Sequence, residues 1–285
     1  GLLIILSGCH SSAPAELKGA SGVHVDQKVE RVEVRGAEIA YWETGVEGDP
    51  VLLYVHGNTG SKIWFEDVMK MDGYRTVAPD LPNFGESSNL EKADIDLYAV
   101  YLADFLNALE IKRAYVVGHS LGGAVAISLA VRYPTLVSRL LLVDSAPLEG
   151  LRTPEEYYPI IESYKDNPAL LKEALRTVTP TMDDEERLDQ LTESAMKMNP
   201  IAFTGNPRAL ARFDYRRRVS EVSVPVLVVR GELDGLITEA MAKSTAEGFP
   251  NGRFESLGKV GHSVMVEAPE QFRKLLREFG SEGRK

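Results

Sequence analysis

Cysteine is almost missing from this 285-residue chain: Cys9 stands alone, which excludes an internal disulfide. Basic charge is also scarce. The 32 lysines and arginines face 42 aspartates and glutamates, a formal charge of -10, and such a surface repels phosphates, which argues against a nucleic-acid partner. The one basic run, Arg216 to Arg218, lies beside Asp214 and Glu221 in a segment with helical patterning and reads as a solvated face. No metal-ligand spacing and no phosphate-binding loop is found, so neither a metal nor an organic cofactor is expected. Internal repeats are missing as well. What is plentiful is apolar content: 44% of the residues are hydrophobic, enough for a substantial core.

The apolar run Leu2 to Leu6 falls far short of the roughly 20 residues that span a bilayer and reads as the tail of a truncated secretion signal. Leu6-Ser7-Gly8-Cys9 resembles a bacterial lipobox, in which the cysteine is lipidated and becomes the mature N-terminus. On that reading residues 1–27 are a signal remnant and tether, and a lipid on Cys9 is the protein's only attachment to the bacterial cell envelope. The alternatives are secretion without a lipid, or a chance Gly-Cys in a cytoplasmic protein.

From residue 29 onward, short β-branched runs alternate with amphipathic helical patterns, the signature of a largely parallel sheet covered on both faces. Eight strands are predicted. "VERVEVRG" and "AEIAYWETG" meet around Gly36 as an antiparallel hairpin; "VLLYVHG", "YRTVAPD", "AYVVGHS", "RLLLVDS", "VPVLVVRG" and "RFESLGK" follow, the buried members as near-continuous apolar runs. Helices are predicted at "SKIWFEDVMKM", at "DIDLYAVYLADFLNALE" with the stripe Leu102, Phe105, Leu106 and Leu109, from Leu121 to a stop before Pro134, over Thr238 to Glu247, and over Pro269 to Phe279. Residues 148–223 break the alternation, with helical periodicity but no convincing strand. They predict a helical cap inserted into an α/β core built from residues 28–147 and 224–285.

Composition alone yields a G-x-S-x-G pattern in roughly one chain in ten of this length, so Gly118-His119-Ser120-Leu121-Gly122 gains weight only from its setting. It sits where "YVV" ends and "AVAISLA" begins, the strand-turn-helix context of a nucleophile elbow. A serine held in so sharp a turn projects its Oγ clear of the sheet, and glycines two residues away leave it room. A serine hydroxyl needs a base and an orienting acid. Among five histidines, His10 and His24 belong to the tether or its edge, His56 to the "HG" turn, and His119 is a bystander beside Ser120. His262, in "GKVGHSVMVEAPEQF" after the last strand, is the candidate base. Two aspartates end strands: Asp144 in "LLLVDSAP" and Asp234 in "VLVVRGELDG". Asp234 is preferred because it sits deeper in a loop and gives the chain order Ser, Asp, His; a cap or turn role is open for either. The amides of Leu121 and of Asn58, in "YVHGNTGS", form a candidate oxyanion pair, although Asn58 also suits a plain turn.

With these motifs in hand, the chain resembles the α/β-hydrolase superfamily over about residues 29–280. "GHSLGG" and "HGN" carry the resemblance together with "PDLPNFGESS", similar to the D-x-P-G-x-G-x-S loop, and "GHSVMVEAPEQF", similar to the G-H-x-x-x-x-E-x-P-x-x-F ending. Asn83 stands where that loop usually carries glycine, and Thr238 where a proline often follows the acid loop. The resemblance implies an eight-stranded, mostly parallel sheet with a helical cap. Members include carboxylesterases, lactonases, carbon-carbon hydrolases and cofactor-free perhydrolases; epoxide hydrolases and haloalkane dehalogenases carry aspartate at the elbow, which Ser120 is not. The leading expectation is a serine esterase acting on a small-molecule ester or lactone, with Tyr157, Tyr158, Phe203 and Phe213 either lining its pocket or packing the cap. A non-catalytic envelope binding protein on the same scaffold is the rival.

Overall fold

The computed structural model describes residues 27–283; Cys9 and residues 1–26 of the predicted tether lie outside them. The strands are β1 (Glu30–Val34), β2 (Ala37–Thr44), β3 (Val51–Val55), β4 (Arg75–Pro79), β5 (Ala114–His119), β6 (Val137–Val143), β7 (Val226–Gly231) and β8 (Gly252–Leu257). They form one sheet in the order β1-β2-β4-β3-β5-β6-β7-β8. The pairs β1–β2 and β2–β4 are antiparallel and the rest parallel. Arg35 and Gly36, with φ of 53° and 78°, supply the two left-handed residues of the tight hairpin turn. Leu52, Leu53, Tyr54 and Val55 are fully buried, as are Leu140, Leu141, Leu142 and Val143. Strands covered on both faces have no wet side, hence the continuous apolar runs in the sequence.

Helix α1 (Ile95–Ala108) starts at Asp94, whose carboxylate caps it by accepting the Leu97 amide at 2.9 Å, and it buries Leu102, Phe105 and Leu106. Helix α2 (Leu121–Arg132) follows β5 directly. Between β6 and β7 come α3 (Tyr158–Ser163), α4 (Pro168–Val178), α5 (Glu185–Ala195) and α6 (Pro200–Arg212), with no strand among them. Proline at the first position of α4 and α6, and Asn167, Asp184 and Asn199 as caps, start three of the four. The core closes with α7 (Glu239–Glu247), α8 (Val264–Glu267) and α9 (Pro269–Ser281). Thr238 is the α7 cap, its hydroxyl accepting the Met241 amide. No described helix is long and apolar enough to cross a membrane.

Two expectations change. "SKIWFEDVMKM" winds into 3₁₀ turns over Lys62–Val68 in place of an α-helix, because its ends are tied from outside: Asp80 accepts the Lys62 amide and the Met69 carbonyl accepts the Thr44 hydroxyl. Arg216 to Arg218 form an exposed turn after α6 and are not helical. Among the insertion aromatics, Tyr158, Phe203 and Phe213 are buried, Phe213 stacking on Tyr215 at 4.7 Å, so these three pack the insertion.

From β3 the chain moves outward to β4, then returns through α1 to β5 on the other side of β3. Such a reversal is where α/β sheets usually place a ligand crevice, here at the carboxyl ends of β3 and β5. A buried ion pair secures the loops around it. Lys62 Nζ reaches Asp80 Oδ2 at 2.7 Å and Glu86 Oε2 at 2.6 Å, with Lys62 3% and Asp80 0% exposed. The Asp80 carboxylate also accepts the amides of Lys62 and Glu86, and Gly85, at φ 52°, leaves the room that a side chain would take from it. Asp80→Asn leaves the buried Lys62 ammonium only the part-exposed Glu86 as a partner, so it should lower the unfolding free energy by about 3 kcal/mol. Urea denaturation of the two proteins measures it.

Candidate active site

Ser120 joins β5 to α2 at φ 53° and ψ -119°, a conformation that strains any residue but glycine. Its backbone is fully tied: its amide donates to the Val143 carbonyl at 3.0 Å, and its carbonyl accepts from Gly123 at 2.9 Å and Ala146 at 3.1 Å. The glycines are needed for contact. A Cβ on Gly118 would lie 2.5 Å from the Gly122 oxygen, and one on Gly122 would lie 2.3 Å from the oxygens of Val55 and His56. Gly57 packs on the serine itself, since a Cβ there would come within 3.0 Å of Ser120 Cβ. Asn58 follows Gly57, so the loop after β3 abuts the elbow, and Leu121 opens α2, where first-turn amides have no partner inside the helix.

His262 and Asp234 are brought together. His262 Nδ1 donates to Asp234 Oδ2 at 2.8 Å, and both side chains are buried. Asp234 Oδ1 accepts the amides of Leu236 at 2.7 Å and Ile237 at 3.1 Å, which fixes the carboxylate plane. Burial works to raise the Asp234 pKa, but the His262 hydrogen bond and charge outweigh it and hold the carboxyl at about 2. Glu267, four residues into the helix that follows, grips the histidine loop on both sides. Its carboxylate accepts the Gly261 amide at 3.0 Å and the Ser263 amide at 2.8 Å, and also the amide and hydroxyl of Thr181 from the insertion.

Asp144 lies beside this pair because β6 and β7 are neighbours in the sheet. It is fully buried at φ 44°; its Oδ1 accepts the Gly231 amide at 2.8 Å, while its Oδ2 has no hydrogen-bond partner among the described residues. Burial, then the Asp234 charge, push its pKa well above the usual carboxylate range. Ligand-type atoms of Asp144, Asp234 and His262 all fall within 4.8 Å of one another. Within this group His262 Nδ1 carries the hydrogen that it gives Asp234, and both Asp234 oxygens already accept hydrogen bonds, so the arrangement fits a proton-orienting pair better than a metal centre.

His119 is not idle. Its Nε2 donates to the His262 carbonyl at 2.8 Å, and the two rings lie 5.1 Å apart, so the residue before Ser120 fastens the histidine loop to the elbow. Sequence offered no signal for this tie, which spans 143 positions. His56 is wired as a neutral ring, Nδ1 donating to the Gly57 carbonyl at 2.8 Å and Nε2 accepting the Leu81 amide at 3.0 Å; burial lowers its pKa and favours that form.

Burial, then the proximity of His262, lowers the His119 pKa to about 3. Below the ordinary histidine pKa of about 6.5 the unfolded chain binds a proton that the folded one refuses, so stability falls with pH across that window by up to about 1.4 kcal/mol per pH unit. His119→Gln keeps a donor but does not titrate; its unfolding free energy, measured in urea from pH 7 to 4, should show a shallower slope. His56, shifted in the same direction, leaves some slope behind.

The chain matches the alpha/beta hydrolase family over residues 52–275. It is 29% identical over 262 residues to a 2-hydroxy-6-oxononadienedioate/2-hydroxy-6-oxononatrienedioate hydrolase of Paraburkholderia phymatum, covering 85% of this chain and 90% of that one. Lipase 1 of Psychrobacter immobilis is 29% identical over 269 residues, covering 86% and 81%. The enol-lactonase of Burkholderia xenovorans superposes with a TM-score of 0.80 at 22% identity, covering 89% of this chain and all (100%) of that one, a likeness of fold. With its eight-stranded, mostly parallel sheet and a strained serine at the β5–α2 junction, the chain belongs to the alpha/beta hydrolase family.

Proposed function

We propose that the protein is a serine hydrolase cleaving carboxylic esters of small molecules. The observation that carries this reading is the His262–Asp234 hydrogen bond at 2.8 Å, with the His262 carbonyl tied to His119, the residue preceding a strained serine. In the first half-reaction His262 Nε2 takes the proton of Ser120 as Oγ attacks the ester carbonyl, and Nδ1–H stays bonded to ionised Asp234. The amides of Asn58 and Leu121 receive the oxyanion. The intermediate collapses to an acyl-enzyme as His262 returns the proton to the leaving alcohol. Water, deprotonated by the same histidine, then attacks the acyl carbon, and His262 returns that proton to Ser120 Oγ as the acyl bond breaks and the acid leaves. The helical insertion caps the crevice and shapes the acyl pocket.

The name of the Paraburkholderia relative supports a second reading: hydrolysis of a carbon-carbon bond in a vinylogous diketone by the same residues. A panel of p-nitrophenyl esters of increasing acyl length, lactones and a vinylogous diketone separates the two by which substrate gives the highest kcat/KM.

Ser120→Ala should lower kcat by as much as about 10⁶ and abolish labelling by a fluorophosphonate; retained turnover would sink the nucleophile assignment. Asp234→Asn should cost roughly 10⁴ in kcat, by analogy with triad acids. Asp144→Asn, which imitates a neutral carboxyl, should stay within about tenfold of wild type. The opposite ordering would transfer the acid's role to Asp144.

A further inference from the structure

We infer that Asn206, on α6 of the insertion, is a positioning residue for the oxyanion site: it holds Asn58 and makes the placement of that loop depend on the seating of the insertion. The inference rests on the assignment of Asn58 proposed above and adds to it a buried relay with a defined direction.

Asn206 is fully buried. Its Nδ2 donates to Asn58 Oδ1 at 2.9 Å, and its Oδ1 accepts the Tyr98 hydroxyl at 2.8 Å. Tyr98, on α1, accepts in turn from Asn83 Nδ2 at 3.0 Å. Asn83 Oδ1 accepts Nδ2 of Asn199, the α6 cap, at 2.9 Å, and the Asn199 amide donates to the Asn83 carbonyl at 2.8 Å. Five side chains from the loop after β3, the "PDLPNFGESS" loop, α1 and the start and middle of α6 are thereby joined.

The sense of every bond follows from groups that can play only one part. The Leu90 amide can only donate, and it meets Asn83 Oδ1 at 2.7 Å; the Lys92 carbonyl can only accept, and it meets Asn83 Nδ2 at 3.0 Å. That sets the Asn83 amide, which gives a hydrogen to Tyr98. A hydroxyl has one hydrogen of its own, so Tyr98 must give it to Asn206 Oδ1. The Asn206 nitrogen then faces Asn58, and Asn58 must present its oxygen. With Asn83, Tyr98 and Asn206 fully buried and Asn58 half-buried at its end, the relay has no cheap alternative arrangement, because reversing one amide opposes like groups all along it. Asn58 lies next to Gly57, which touches Ser120, and before Thr59, held at φ 56°; anchoring its side chain therefore limits rotation of the peptide whose N–H faces the reacting carbonyl.

The test is a double-mutant cycle on an ester substrate. Asn206→Leu should lower kcat by roughly 10- to 100-fold with little change in KM, the range for loss of an orienting contact. In an Asn58→Ala background, which keeps the backbone N–H but has no side chain to hold, the same substitution should change kcat by less than about twofold. If Asn206→Leu does not fold, Tyr98→Phe/Asn206→Leu replaces both partners with apolar groups and serves in its place. Wild-type kcat in Asn206→Leu, a loss confined to KM, or an equal loss in both backgrounds would overturn the inference. The rate of fluorophosphonate labelling separates the two levels: loss in Ser120→Ala with wild-type rates in the Asn206 variants defeats the relay alone, whereas labelling that persists in Ser120→Ala defeats the serine reading.

Discussion

Everything at the candidate site depends on how closely α2 approaches the ends of β3 and β5. Gly118 and Gly122 let backbone meet backbone there, at distances no side chain tolerates. A helix set so near the sheet leaves one residue to make the turn, and Ser120 makes it at φ 53°. The strain, of order 1–3 kcal/mol, persists because the surroundings over-determine it. Three backbone hydrogen bonds, from β6 and from the segments after β6 and Ser120, hold the residue in place. The same approach sets the first turn of α2 beside the loop after β3 and brings His119 against the loop that carries His262.

Polar ties, beside a shared apolar core, fasten the insertion to these loops. Thr181 binds the Glu267 carboxylate that grips the histidine loop, Ser194 shares a 2.6 Å hydrogen bond with Ser61, Asn199 binds Asn83, and buried Arg187 joins Glu66 and the Ile63 carbonyl. Directional bonds of this kind define one seating of the helices, where apolar contact alone would tolerate sliding.

Elements with strong periodicity were legible in the sequence. The hairpin at Gly36, the buried strands, α1, α7 and α9 each carry their own pattern, and both strand-end aspartates could be picked out beforehand. What sequence could not supply is adjacency across the sheet. That Asp144 would lie against Asp234 and have its pKa raised follows from β6 lying beside β7, and that His119 would bind the His262 carbonyl follows from two distant loops meeting at one edge. Asn83 stood out as a departure from a glycine pattern; its use required Tyr98 and Asn199, far along the chain, to be in place. The turns over Lys62–Val68 were misread as α-helix because tertiary ties, not local preference, decide their pitch.

Lys62 has one further consequence. Its ammonium is enclosed by Asp80 and Glu86, with the Trp42 ring 5.8 Å away, while most of the other described lysines stand in solvent. Amine-reactive reagents and stray acyl donors will modify those and leave this one intact as long as the loops around it stay closed. Its chemical protection is thus a built-in report on local opening beside the crevice, read at a single atom without any added probe.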